Sequence, residues 1–346
     1  MKALFLAGGK GVRLQPLTDN VPKPMVPIMN KPLLERTMLH LKKSGISEIV
    51  ISSCYQPQYI EEYFGDGEKF GLKIQYIVED IPLGTGGAIK KAGAQIRDTF
   101  IVFNSDILSD IDIQKMVDFH KSSHALATIA VTEVEDPSAY GVIEYDKVGY
   151  AVSFVEKPKP EQISSNFINA GIYIFEPEIL EEIPVNCAVS VERETFPGLL
   201  AKGHKIAVFK DAGYWIDIGT LEKYTQVHKD IMDGKCKMVD TNFSSSNISL
   251  GKNVKIHPDA KIIGPAYIGD NVVIYAKAII NRSVIGSNVT IGSGSKVVGS
   301  ILWNNVIISS EVRLMNTIVT ADCVINRNRN FLDTVYTRLI DQKIPV

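Results

Sequence analysis

Cysteine is scarce and dispersed: Cys54, Cys187, Cys236 and Cys323 form no C-x-x-C pair among 346 residues. This excludes a thiolate metal site and a disulfide-stapled scaffold, and it fits a reducing, cytoplasmic compartment. No run approaches the ~20 apolar residues of a membrane span, so no membrane partner is expected. The first apolar run, Ala3–Ala7, is too short for a secretory signal. The net charge is −2, which leaves no basic excess for nucleic acid. Two familiar phosphate motifs are missing as well. Lys10 is followed by Gly11 where a Walker A loop needs Ser or Thr. Leu14 stands where a dinucleotide fingerprint needs its third glycine. The two tryptophans, Trp215 and Trp303, read as packing residues rather than stacking platforms.

What is present divides near residue 240. The length alone suggests two domains. In the first part, apolar runs alternate with helical periodicity. Strands are expected at Ala3–Ala7, Glu48–Ser52, Lys73–Val78, Thr99–Phe103, Ala127–Val131, Val152–Glu156 and Gly171–Phe175. Leu33, Leu34, Thr37, Met38 and Leu41 mark one helix face, ended by Ser44-Gly45. A second helix should open after Gly86-Gly87, with Ala88, Ile89, Ala92 and Ile96 inward. Strand–helix alternation predicts an α/β domain with a mostly parallel sheet, whose ligands sit at the carboxyl ends of the strands. In the second part, Ile256, Ile262, Ile268 and Ile274 recur every six residues. Ile285, Ile291 and Val297, then Ile301 and Ile307, then Ile318 and Val324 do the same. A hexapeptide period rich in Ile, Val, Gly and Asn predicts a parallel β-helix of about four to five coils. Asp230–Asn247, Ser-rich at Ser244-Ser245-Ser246, reads as the connection.

The chemistry gathers at the strand ends. Gly8-Gly9-Lys10-Gly11-Val12-Arg13-Leu14-Gln15-Pro16-Leu17-Thr18 follows the first strand and is closed by Pro22-Lys23-Pro24. Paired glycines after a strand bring backbone N–H groups close to a phosphate or a base, and Arg13 and Lys23 add fixed cations. Leu83-Gly84-Thr85-Gly86-Gly87-Ala88 is either a phosphate site at a helix N-terminus or a tight connection. Asp106 and Asp217 each follow an apolar run. Asp106 reads as a divalent-metal ligand or a turn residue, and Asp217 as a metal ligand or an N-cap for the helix near Leu221. Glu156-Lys157-Pro158 is a solvated ion pair or a substrate contact. Asn169 needs buried partners in either reading. His257 reads as a turn histidine, since no other acyl-transfer feature accompanies it.

Together these residues resemble the G-G-x-G-x-R-L-x-P-L-T…P-K-P signature of the sugar-phosphate nucleotidyltransferases. The likeness extends over nearly the whole chain and is to enzymes of the mannose-1-phosphate guanylyltransferase kind. It implies a Rossmann-like nucleotidyltransferase domain over 1–235 and a left-handed β-helix over 248–330. The implied reaction joins an NTP, GTP first, to a sugar 1-phosphate, mannose 1-phosphate first, releasing pyrophosphate. By the same resemblance, Arg13 and Lys23 are catalytic and Asp106 and Asp217 hold Mg²⁺. Leu6, Ala7, Gly8, Gly9, Gly11, Gly84 and Thr85 bind nucleotide. Gly141, Glu156, Lys157 and Asn169 bind the sugar phosphate. Gly86 replaces the alanine of the Leu-Gly-Thr-Ala-Gly pattern. That leaves glucose-1-phosphate thymidylyl-, uridylyl- or adenylyltransferase, or heptose-1-phosphate guanylyltransferase, as alternatives. A regulatory nucleotide-sugar-binding homologue is the non-enzymatic alternative, against which the intact arginine, lysine and aspartates argue. The β-helix is expected to serve assembly of a homo-oligomer, with catalysis wholly before residue ~235.

Overall fold

Apolar runs buried on both faces make parallel strands, and four of them carry the glycine loop. A computed structural model describes all residues except 186, 240–246, 339 and 346, and only the backbone of 340–345. In it β1 (Lys2–Ala7), β2 (Glu48–Ser53), β3 (Lys73–Val78) and β4 (Phe100–Asn104) lie parallel in the order β3–β2–β1–β4. They are followed by β5 (Ile107–Ser109), β6 (Ala127–Glu133), β7 (Gly141–Tyr145), β8 (Ala151–Glu156), β9 (Phe167–Phe175), β10 (Ile206–Lys210) and β11 (Trp215–Asp217). The sheet continues past β4 through β9, which runs antiparallel to β4, β6 and β7; β8 then closes the β7 edge. β10 extends the sheet in parallel beyond β6. β5 and β11 form a separate antiparallel ribbon. The sequence reading includes neither β7 nor β10, although Ile206–Phe209 is an apolar run.

The helices are α1 (Leu33–Lys43), α2 (Pro57–Phe64), α3 (Gly84–Gly93), α4 (Ile113–Ser123), α5 (Phe196–Ala201) and α6 (Leu221–Met232). α1 ends as expected, with Gly45 left-handed at φ 81°. α3 starts two residues before the expected glycine pair and stops at Gly93, so Ile96 lies beyond it, although still buried. α6 runs through Met232, so Asp230 is helical rather than part of a connection. Ser244-Ser245-Ser246 fall outside the described residues.

Two compact units emerge, and they do not follow chain order. One comprises 1–10, 22–25 and 34–217; the other comprises 11–21, 26–33 and 218–346. The core of the first is built from Leu4, Val102, Ile129, Tyr173, Phe175 and Phe196 with their neighbours.

The second unit is dominated by a left-handed parallel β-helix. Its first coil is 18 residues, Ile256 stacking on Ile274 and Ile262 on Ile280, but the later coils are 17, as the stacked pairs Ile274–Ile291, Ile291–Ile308 and Ile308–Ile325 and the Asn271–Asn288 contact show. A 17-residue coil cannot be three hexapeptides. The inward residues Ile268, Ile274, Ile280, Ile285, Ile291, Val297, Leu302, Ile308, Leu314, Val319 and Ile325 step by six, six and five. The strict six-residue reading therefore slips by one wherever it crosses the short edge. Ile307 and Val324, expected inward, are 46% and 50% exposed, whereas Ile256 stacks on inward Ile274 as expected and is 40% exposed in the first coil. Ile301 and Ile318 are buried, but off the inward column that Leu302 and Val319 occupy. The corners explain the asparagines. Asn253, Asn271, Asn288, Asn305 and Asp322 all have φ between 56° and 61°, a conformation that short polar side chains tolerate best. Their side chains bond one to the next at 2.9–3.1 Å. The short edge carries a buried ladder in which Ser283 and Ser300 each accept the next coil's N–H at 3.1 Å. The last strand, Asn330–Thr337, continues the parallel stack, and Ile340–Pro345 returns antiparallel to it. His257 is exposed in a turn, as expected.

The corrected phase is directly testable. Ile308→Ala should cost about 2–5 kcal/mol by opening a core cavity, whereas exposed Ile307→Ala should stay within about 0.5 kcal/mol. Urea unfolding of the two variants decides; equal costs would mean the phase is wrong.

Candidate active site

The parallel strands deliver their carboxyl ends together. Leu6 pairs with Asn104 and Ala7 with Ser53, so both are built into the sheet. The Leu6 carbonyl also accepts the Ser105 hydroxyl at 2.7 Å. Gly8 and Gly9 form the lip beyond. A Cβ on Gly8 would sit 3.4 Å from Cys54 Cβ and 3.6 Å from Glu79 Oε1, whereas one on Gly9 would meet nothing. Glu79 is buried and accepts from the Ser52 hydroxyl at 2.9 Å and from the Leu83 N–H at 3.0 Å. Burial, and then the charge of Glu79, push the Cys54 thiol up, so it stays protonated.

The β5–β11 ribbon carries Asp217 and begins one residue after Asp106. Asp217 pairs with Ile107, the residue after Asp106. Cα atoms of facing residues on such a ribbon are ~4.5–5.5 Å apart. Lys23 Nζ donates to Asp106 Oδ2 at 2.6 Å, and its side chain is only 11% exposed. The Tyr140 hydroxyl donates to Asp217 Oδ1 at 2.9 Å. The Tyr140 ring packs edge-on to Trp215, whose indole N–H donates to the Ala170 carbonyl. Thr220, not Asp217, caps α6 by accepting from the Lys223 N–H. The donor chemistry fits a divalent cation: two carboxylates, one just before β5 and one at the end of β11, are the hard oxygen ligands such an ion takes. Among the described residues, His, Cys, Asp and Glu do not gather in groups of three or more suited to a metal, so water and phosphate oxygens would complete the shell.

A second cluster lies along β7, β8 and β9. Glu156 ends β8 and pairs with Gly141, where a Cβ would come within 2.8 Å of Glu156 Oε2. Glycine is needed there for the carboxylate to lie across the backbone. Lys157 follows in the left-handed region at φ 51°, its N–H tied to the Tyr140 carbonyl. Asn169 Nδ2 donates to the Tyr173 hydroxyl at 2.7 Å, and its Oδ1 accepts the Gly171 N–H at 2.9 Å. Tyr173 donates in turn to Glu192 Oε1 at 3.3 Å. Glu192 Oε2 takes the hydroxyls of Thr85 at 2.6 Å and Ser190 at 2.9 Å. Glu192 thus ties Asn169 to the second glycine run. Its sequence context, Val191-Glu192-Arg193-Glu194, reads as a solvated charge run, so nothing flagged it. Glu156 is held above the usual carboxylate range, first by burial and then by the charge of Glu192, with Lys157 and Arg193 opposing.

At that second glycine run the geometry is a close backbone approach. Val189 O accepts from Gly86 N at 2.8 Å, and a Cβ on Gly84 would lie 2.5 Å from the same oxygen. Thr85 also accepts the Val191 N–H at 2.9 Å. Arg13 and Gly11 belong to the second unit. Gly11 is left-handed at φ 65°, and its carbonyl accepts the Thr18 hydroxyl at 2.9 Å; Arg13 is exposed.

The nucleotidyl transferase family profile matches residues 2–234, and the GMPPB C-terminal domain profile matches 231–336. Mannose-1-phosphate guanylyltransferase of Mycobacterium tuberculosis is 39% identical over 269 residues, 77% of this chain and 74% of its own. UTP–glucose-1-phosphate uridylyltransferase of Synechocystis is 33% identical over 318 residues, 82% of each chain. The crystal structure of HddC from Yersinia pseudotuberculosis, also solved in complex with GMP-PN, matches with a TM-score of 0.58. It is 33% identical and covers 66% of this chain and 99% of that one. The fold and the family match define a nucleotide-transferring enzyme. The chain belongs to the nucleotidyl transferase family and carries a C-terminal domain of the GMPPB type.

The Glu156–Glu192 repulsion should be visible in titration. Followed by carbon NMR, the Glu156 carboxyl should titrate above the ordinary range. Glu192→Gln removes a like charge and should move that midpoint to lower pH. A midpoint that does not move would separate the two groups.

Proposed function

We propose that this chain transfers a guanylyl group from GTP to mannose 1-phosphate in the cytoplasm, releasing pyrophosphate, with Mg²⁺ held by Asp106 and Asp217. The observation that supports the reading is the Lys23 ammonium seated on Asp106, the residue before the strand that pairs with Asp217. The guanylyltransferase relatives support the choice of base and sugar. The buried, acceptor-only Glu79 beside Gly8 also suits guanine, whose N1–H and 2-amino group are adjacent donors.

The attacking atom is a phosphate oxygen, already ionised near neutral pH, so no protein base is needed. The barriers are repulsion between two anions and misalignment of attacking and leaving oxygens. Lys23 supplies positive charge beside the α-phosphate, and Arg13 offsets charge on the departing pyrophosphate. Lys157 holds the incoming phosphate in line, while Glu156 and Asn169 take the sugar hydroxyls. Gly8 and Gly9 leave room for the nucleotide over the end of β1, with Gly84 and Thr85 on its other side. The bound cation supplies charge stabilisation at the α-phosphate. The outward column Val273, Thr290, Ile307 and Val324 supports self-association into a homo-oligomer.

Pyrophosphate release across a matrix of NTPs and sugar 1-phosphates should peak at GTP with mannose 1-phosphate. Glu79→Gln should narrow the preference for GTP over UTP. Activity should vanish in excess chelator, and Asp217→Asn should lower kcat by about two orders of magnitude or more while the protein stays folded. Full turnover under chelation would sink the metal assignment.

Role assignments separate in the kinetics. Arg13→Ala and Lys23→Ala should lower kcat far more than they raise KM for the sugar phosphate. Lys157→Ala should mainly raise that KM. The reverse pattern would exchange the roles.

A further inference from the structure

The hydrogen bonds around Glu192 all run one way. The residue stands on the π-helical turn Val191–Thr195, a rare conformation that recurs at functional sites. Three hydroxyls donate to its carboxylate: Tyr173 to Oε1 at 3.3 Å, and Thr85 and Ser190 to Oε2 at 2.6 and 2.9 Å. Each of those hydroxyls also receives an N–H. Thr85 Oγ1 accepts from Val191 N at 2.9 Å, Ser190 Oγ from Arg193 N at 3.1 Å, and the Tyr173 oxygen from Asn169 Nδ2 at 2.7 Å. An amide N–H only donates and an ionised carboxylate only accepts. The direction of all three relays is therefore set: from a nitrogen, through a hydroxyl, into Glu192. Every member lies in one compact unit.

Two of the relays start in the clusters described above. β9 shifts register against β6 between Asn169 and Tyr173, and within that interval the Gly171 N–H donates to Asn169 Oδ1 at 2.9 Å. The Asn169 amide is thus held from both ends, with one N–H and one lone pair left over. The Thr85 relay lies inside the second glycine run, where the Gly86 N–H is already on the Val189 carbonyl. At position 192 charge matters more than shape. Glutamine has the same outline but one acceptor oxygen instead of two. That oxygen should stay with the pair Thr85 and Ser190, so Tyr173 would face an NH₂ group and its relay would break.

We propose that Glu192 is a positioning residue for both substrates: through the Tyr173 hydroxyl it fixes the Asn169 amide that meets the sugar, and through Thr85 it fixes the glycine run on the nucleotide side. The inference rests on the proposed roles of Asn169 and Thr85. It also narrows the substrate class. The donor and the acceptor left on Asn169 match a free hydroxyl, which is both at once. A sugar phosphate lacking that hydroxyl would leave a polar group unpaired, and sites of this kind reject such analogues strongly.

The test uses the full chain with MgGTP and mannose 1-phosphate. Tyr173→Phe removes one hydroxyl from the sugar arm and should raise KM for the sugar phosphate about tenfold, with KM for GTP changed less than about twofold. Thr85→Val cuts the other arm and should reverse that pattern. Glu192→Gln should match Tyr173→Phe, and in the Tyr173→Phe background it should raise the sugar-phosphate KM less than about twofold further, because the relay is already cut. Ser190→Ala, which touches Glu192 but leads to neither cluster, is the control and should leave both KM values within about twofold. A second readout is independent of turnover. With nitrogen-labelled asparagine, the Asn169 side-chain N–H signal, identified by its loss in Asn169→Asp, should shift in Tyr173→Phe and in Glu192→Gln and stay in place in Ser190→Ala. Unchanged sugar-phosphate KM in a folded Glu192→Gln variant would overturn the proposal. So would effects that add in the double variant, or an Asn169 signal indifferent to Glu192→Gln. Absence of wild-type turnover with every sugar 1-phosphate would instead count against the proposed function, and the Asn169 signal would still judge the relay.

Discussion

The pairing of β5 with β11 is the constraint on which the catalytic unit turns. It sets Asp217 opposite Ile107, the residue after Asp106, through backbone bonds that are indifferent to charge. Each aspartate is then satisfied by its own partner. Lys23 pairs with Asp106, and Tyr140 donates to Asp217. Each is itself fixed: Tyr140 by the Trp215 ring, Lys23 by its 3-10 turn. Both carboxylates are thus held by partners that the fold itself positions.

Much of this was legible in residues and spacing. The glycine loop, both aspartates and the parallel strands of the first unit follow from apolar runs that end in glycine or acid, since a buried strand must empty its polar residues at one edge. β7 was not legible, because the half-buried Gly-Val-Ile-Glu-Tyr carries too few apolar residues to stand out; β10 is a buried apolar run, Ile206–Phe209, that the strand reading passed over. Glu79 and Glu192 were not legible either. A carboxylate becomes informative only when burial and hydroxyl donors surround it, and for Glu192 those donors come from Thr85 and Tyr173, distant in sequence. The second glycine run was ambiguous for the same reason. Its need for glycine arises from the Val189 backbone, which no local pattern announces.

The β-helix misled in a narrower way. Isoleucine and valine occur on both sides of its strands, so a six-residue ruler finds matches even after it has lost phase. Ile307 and Ile308 are adjacent, one 46% and the other 1% exposed. The corner residues keep better time. Asparagine at 271, 288 and 305 repeats at the true coil length because the left-handed corner selects it at every turn. Conformational need is thus a sharper marker of this fold than hydrophobicity.

Backbone held away from its ordinary conformations occurs in both units, each time amid polar contacts. In the first unit the π-helical turn Val191–Thr195 presents Glu192 to Thr85 and Tyr173. In the second the left-handed pair Met29–Asn30, the tip of a short hairpin, is fixed by His228, Tyr224 and Ile285. Neither conformation is the local optimum, so each persists because partners remote in sequence prefer it. That makes local geometry depend on the remote fold: the tip keeps its shape only while the coils that carry Ile285 and Trp303, whose indole N–H bonds Tyr224, are stacked.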